Sequence, residues 1–122
     1  MIPVAVYKVI HIIGVAFVVG ALGGMAVHAA NGGTREASLT RRLTTATHGI
    51  GLLLILVAGF AMLARLPQPG HMGWVAGKLV VWLLLGAAAA VPYRRPQFAR
   101  ALFVIVPLLV GAAATLALTK PF

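Results

Sequence analysis

Cysteine is absent from this 122-residue chain, and acidic residues are reduced to one, Glu36. Without cysteine there are no disulfides, iron-sulfur clusters or thiolate metal sites. With one carboxylate, carried in a loop, the chain has no paired acids for general acid-base work. It also lacks the buried carboxylates that proton pumping usually needs. Charged residues make up only 9% of the chain, against about 25% in an ordinary soluble domain.

What is present is apolar. Hydrophobic residues account for 61% of the sequence, and ten lysines and arginines give a net charge of +9. In a soluble protein that charge would suggest nucleic acid. Here the basic residues sit between long apolar runs, where they set topology and meet anionic headgroups. No aromatic-basic motif accompanies them, so nucleic acid is not expected as a partner and the lipid bilayer is.

The apolar runs predict an all-α integral membrane protein of one domain, residues 1–122, with four transmembrane helices in a bundle. Helix one is expected at about residues 3–30, helix two at 43–66, helix three at 73–91 and helix four at 97–118. A crossing needs about 20 residues, which each run approaches or exceeds. A cleaved signal peptide competes for the first run, but the apolar stretch is too long for a signal core. Asn31-Gly32-Gly33-Thr34 and Pro67-Gln68-Pro69-Gly70 supply turn chemistry between helices, Pro92 is expected to stop helix three, and Pro107 to kink helix four. The loops between helices one and two and between three and four carry Arg35, Arg41, Arg42, Arg94, Arg95 and Arg100. By the positive-inside rule this places both termini on the non-cytoplasmic side. Gly20 with Gly24, and Gly73 with Gly77, form GxxxG pairs that suit close helix packing or room for a flat macrocycle.

Polar groups inside the spans are the candidate chemistry. His11 stands in Tyr7-Lys8-Val9-Ile10-His11-Ile12-Ile13-Gly14, and Lys78 in helix three. At 1.5 Å per residue they lie roughly 12 Å and 8 Å into their helices from the same side, so they share a depth. An intramembrane histidine or lysine is costly unless a partner or ligand satisfies it. Lys78 could equally extend to the interface. Near the other face, His28 ends helix one and His48 lies about one turn into helix two. Those two imidazoles could meet on one iron, or act separately as interfacial and hydrogen-bonding residues. His71 reads as a loop residue on the His11 side. Imidazoles, or imidazole with amine, set between helices suit haem iron better than zinc.

Lys8-x-x-His11-x-x-Gly14, followed by an apolar run to His28, resembles the first helix of the HemJ-type protoporphyrinogen IX oxidases. Gly73-Trp74-x-x-x-Lys78-Leu79 is similar to their third-helix motif. The resemblance implies haem b, one per chain or two if His28 and His48 form a second site. It implies His11 as iron ligand, with Lys78 a second ligand or catalytic proton-handling group. Gly14 and Trp74 would lie beside the cofactor. It further implies oxidation of protoporphyrinogen IX, a redox partner in the membrane, and location in a bacterial inner membrane. The sequence departs from that family in two places. Ala76-Gly77 stands where a histidine is usual before the lysine, and Thr47-His48-Gly49-Ile50 carries His48 in place of a proline. A b-type cytochrome for transmembrane electron transfer, and a structural subunit of a larger membrane complex, are the competing readings. The small residues would also let a second copy pack against the first as a homodimer.

Overall fold

In the computed structural model, which describes residues 2–122, five α-helices and two 3-10 turns follow one another, with no strand among the described residues. The α-helices are α1 (Val4–Ala30), α2 (Arg41–Arg65), α3 (Gly73–Ala87), α4 (Val91–Arg94) and α5 (Ala99–Thr119). Four stretches are long and apolar enough to cross a membrane: Val4–Ala30, Arg41–Arg65, Gly73–Arg94 and Pro96–Thr119. At most 33% of any of these spans is buried inside the chain. The remainder displays side chains such as Ile12, Leu53, Leu83 and Leu108, all more than half exposed. A contiguous apolar exterior of this kind calls for lipid or protein to cover it.

The spans run up and down. Arg65 Nη1 donates to the Ile2 carbonyl at 2.7 Å, which brings the end of α2 to the start of α1. The Trp74 amide donates to the Phe122 carbonyl at 2.7 Å, joining the start of α3 to the chain after α5. Laterally α1 packs along α2 and α5, and α3 along α5, whereas α2 and α3 approach each other only lightly. The core, Val18, Leu22, Met25, Val81, Leu85, Ala88, Leu102 and Val106, comes from α1, α3 and α5 with one residue between α3 and α4. Helix α2 contributes no fully buried member but packs Leu52 and Ile55 against this core, and further contacts hold it.

The tightest of these is a backbone crossing. A Cβ on Gly14 would lie 2.9 Å from the Gly51 carbonyl oxygen, and one on Gly51 2.8 Å from the Gly14 carbonyl oxygen. Only glycine at both positions lets α1 and α2 approach so closely. The expected GxxxG contact at Gly20 and Gly24 is different: a Cβ on Gly20 would meet nothing within 4 Å, and that face of α1 stays open. Gly73 and Gly77 do serve packing, against Phe122 and Leu116.

Helix ends follow local chemistry. Gly32 has φ +85°, its amide bonds the Ala29 carbonyl at 3.0 Å, and the Gly33 amide bonds the His28 carbonyl at 2.8 Å. This is a Schellman ending, which the Gly-Gly pair permits. Gln68 Nε2 donates to the Leu63 and Leu66 carbonyls and so caps α2. The expected stop at Pro92 does not occur. The chain tightens into a 3-10 turn at Ala88–Ala90, and Pro92 then sits in the first turn of α4, where its missing N–H costs little. The break falls at Arg95 (φ −133°, ψ 69°), because a residue before proline is pushed out of the helical region.

Substituting Gly14 by alanine should therefore separate α1 from α2 and cost about 1–3 kcal/mol, the usual range for overpacking. Gly20→Ala should change stability by less than about 0.5 kcal/mol, as expected of an open surface position. Unfolding followed by circular dichroism in detergent micelles measures both.

Candidate functional site

The glycine crossing delivers His11. One turn from Gly14, its Nδ1 lies 3.0 Å from the Ile55 carbonyl oxygen, one turn from Gly51 on α2. A carbonyl can only accept, so Nδ1 carries the hydrogen and Nε2 keeps its lone pair. The ring runs beside Gly59, where a Cβ would stand 3.5 Å from Cε1, an ordinary contact. Both His11 and Lys78 are half-buried.

Gly14 is occupied by the α2 backbone, which accounts for its missing side chain through packing. Trp74 is buried at the start of α3, its Nε1 donating to the His71 carbonyl at 3.2 Å, with the Lys120 ammonium 5.2 Å from its ring centroid. His71 is exposed, and its Nε2 donates to the Lys120 carbonyl at 2.7 Å. Lys120 has φ 45°, a left-handed conformation uncommon for a residue with a side chain. That geometry turns its carbonyl to His71 while its ammonium covers Trp74. Trp74, His71 and Lys120 thus clasp the start of α3 to the end of α5.

At the arginine-rich end His28 and His48 go separate ways. His28 Nδ1 is 2.8 Å from the Tyr93 hydroxyl, and the two rings meet edge to face with centroids 5.7 Å apart. The opposite edge of the imidazole, including Nε2, lies against Gly33, where any Cβ would collide with it. Nδ1 of His28 is thereby engaged, and its ring edge packs beside Gly33. His48 is the buried polar side chain of the core at 8% exposure, and its Nε2 donates to the Leu85 carbonyl of α3 at 3.0 Å. Trp82 Nε1 returns the gesture, donating to the Leu52 carbonyl of α2 at 3.0 Å. These two bonds bridge the helix pair that backbone packing leaves apart. His28 and His48 line different cavities, His28 a groove beside Gly20, Gly23 and Phe103, and His48 a pocket among arginines.

Among the described residues no group of three or more histidine, cysteine or acidic side chains gathers as a metal site. The donor chemistry that remains is a single anchored imidazole with a free Nε2 and a neighbouring amine. A backbone carbonyl on the other ring nitrogen is the usual orienting partner of a metal-bound histidine. This fits haem iron, which takes imidazole axially and needs no carboxylate. No family model matches the chain, and no match is found among curated proteins or solved structures.

Sequence reasoning missed Ile55, Gly59, Trp82 and Tyr93. Gly51 and Gly59, about two turns apart on one helix, carried a usable signal for a close-packed face. Tyr93 beside Arg94 and Arg95 has the look of an interfacial aromatic. The carbonyl of Ile55 left no trace, since a backbone acceptor is invisible in side-chain patterns.

If His48 and Trp82 together hold α2 against α3, His48→Ala and Trp82→Phe should each cost about 1 kcal/mol, as lost hydrogen bonds do. The double variant should depart from the sum by about 0.5 kcal/mol or more. Unfolding of the four proteins in detergent forms the cycle.

Proposed function

We propose that this protein is a haem b-binding membrane oxidoreductase of the kind its resemblance to HemJ-type protoporphyrinogen IX oxidases implies. The observation that carries the reading is the His11–Ile55 hydrogen bond of 3.0 Å, which fixes the tautomer and leaves Nε2 as a lone-pair donor inside a span. An intramembrane imidazole and amine at a common depth by residue count, His11 and Lys78, add to it.

In this reading His11 Nε2 holds the iron, and Lys78 serves as second ligand or moves a proton. The haem, when bound, supplies one-electron redox chemistry, and the protein supplies its placement and surroundings. Ile55 keeps the imidazole oriented. Gly59 borders the ring on α2. The lipid-facing apolar side chains of the spans keep bulk water away. Oxidation of protoporphyrinogen IX, with electrons passed to a partner in the membrane, is the activity proposed. By the positive-inside rule the arginines of both loops support a cytoplasmic position for that end with both termini outside, and the proposed location is a bacterial inner membrane.

The detergent-solubilised wild type should show the Soret band of a b-type haem. His11→Ala should lose most of that absorbance, whereas His28→Ala, whose Nδ1 is bonded to the Tyr93 hydroxyl, should retain it. Complementation of a strain lacking porphyrinogen oxidase tests the substrate. Growth restored by the wild type and lost with Lys78→Met supports oxidation. A pigmented protein that fails to complement is an electron-transfer cytochrome, and a colourless, iron-free preparation overturns haem binding altogether.

A further inference from the structure

The cavity that receives His48 has no part in the haem reading. It has a volume of about 320 Å³ and lies where the end of α1, the start of α2 and the end of α3 meet the two arginine-bearing loops. Arg35, Arg41 and Arg94 line it, together with the hydroxyl residues Ser38, Thr44 and Thr45. The one acidic residue of the chain, Glu36, is not in its wall although it follows Arg35 directly. Three arginines thus line a space whose wall holds no carboxylate. Beside the buried His48, Met25, Gly86 and Ala89 give the wall apolar surface.

One of the basic groups is positioned rather than free. The Arg35 guanidinium stacks 5.8 Å from the centroid of the Tyr93 ring, and the Tyr93 hydroxyl is fixed by His28 at 2.8 Å. His28 in turn seats on Gly33. Arg41 opens α2, whose first turn has no side-chain cap on its amides. Guanidinium, hydroxyl and helix-start amides are the groups that bind phosphate oxygens, and arginine does so in a fixed two-pronged geometry.

We propose that this cavity is a discrete site for a phosphate-bearing anion, with the headgroup of an anionic phospholipid as its ligand. The argument for the lipid is the wall. Charged groups ring the mouth and apolar side chains continue inward along the spans, the order in which a headgroup and its glycerol backbone meet a membrane protein. Basic pockets between transmembrane helices bind anionic headgroups in this way. His28 and Tyr93 act here as positioning residues for Arg35.

The test titrates the detergent-purified protein with three probes: phosphatidylglycerol, zwitterionic phosphatidylcholine and inorganic phosphate. The thermal midpoint reports binding. The wild type should be stabilised by phosphatidylglycerol in preference to phosphatidylcholine, and Arg41→Gln with Arg94→Gln should weaken this by about tenfold or more. Arg95→Gln with Arg100→Gln removes the same charge outside the cavity and should stay within about twofold of wild type. If the cavity pair fails to fold, Arg94→Gln alone is compared with Arg100→Gln alone. Saturable binding of inorganic phosphate with the same dependence on Arg41 and Arg94 supports the site and assigns it to a free anion, whereas phosphatidylglycerol dependence without it assigns it to lipid. Equal losses in the two double variants, or no preference among the probes, would overturn the proposal, since diffuse positive charge would then explain any binding.

Discussion

Two glycines set the distance at which α1 and α2 cross, and the anchoring of His11 depends on that distance. Because Gly14 and Gly51 bring backbone against backbone, the residues one turn away on each helix fall opposite one another. His11 then reaches the Ile55 carbonyl. With larger residues at the crossing the helices would stand apart and the imidazole would have no acceptor at that range. In hydrocarbon a polar group has few alternatives, so an arrangement that satisfies it persists.

The same constraint explains why α2 needs side-chain bridges. Helices α1, α3 and α5 share a conventional core, but α2 meets α3 only across a gap. His48 and Trp82 are long enough to close it, each donating to a carbonyl on the opposite helix. A buried histidine in this place contributes to the scaffold through its donor nitrogen.

At the two ends of the bundle the chain uses different chemistry. One end is a clasp of Trp74, His71, Lys120 and Phe122 that fastens the start of α3 to the end of α5. The other gathers Arg35, Arg41 and Arg94 about a cavity, with His28 and Tyr93 steadying one of them. The first consumes its polar groups in internal bonds. The second leaves its positive charges facing open space, and that contrast makes the arginine-rich end the place to look for an anion.

By itself the sequence determined the helical class, the four long apolar stretches and the placement of arginines in two loops, because length, hydropathy and turn residues are properties of neighbouring positions. It marked His11 and Lys78 as polar groups at a common depth, since counting residues along a helix measures rise. Only the tertiary structure decided that the close approach falls at Gly14 and Gly51 instead of Gly20 and Gly24, that Pro92 continues a helix, and that His28 and His48 serve separate partners. Those outcomes rest on the azimuth of each helix about its own axis and on backbone carbonyls of another span. Apolar residues all round a membrane helix leave that azimuth unmarked.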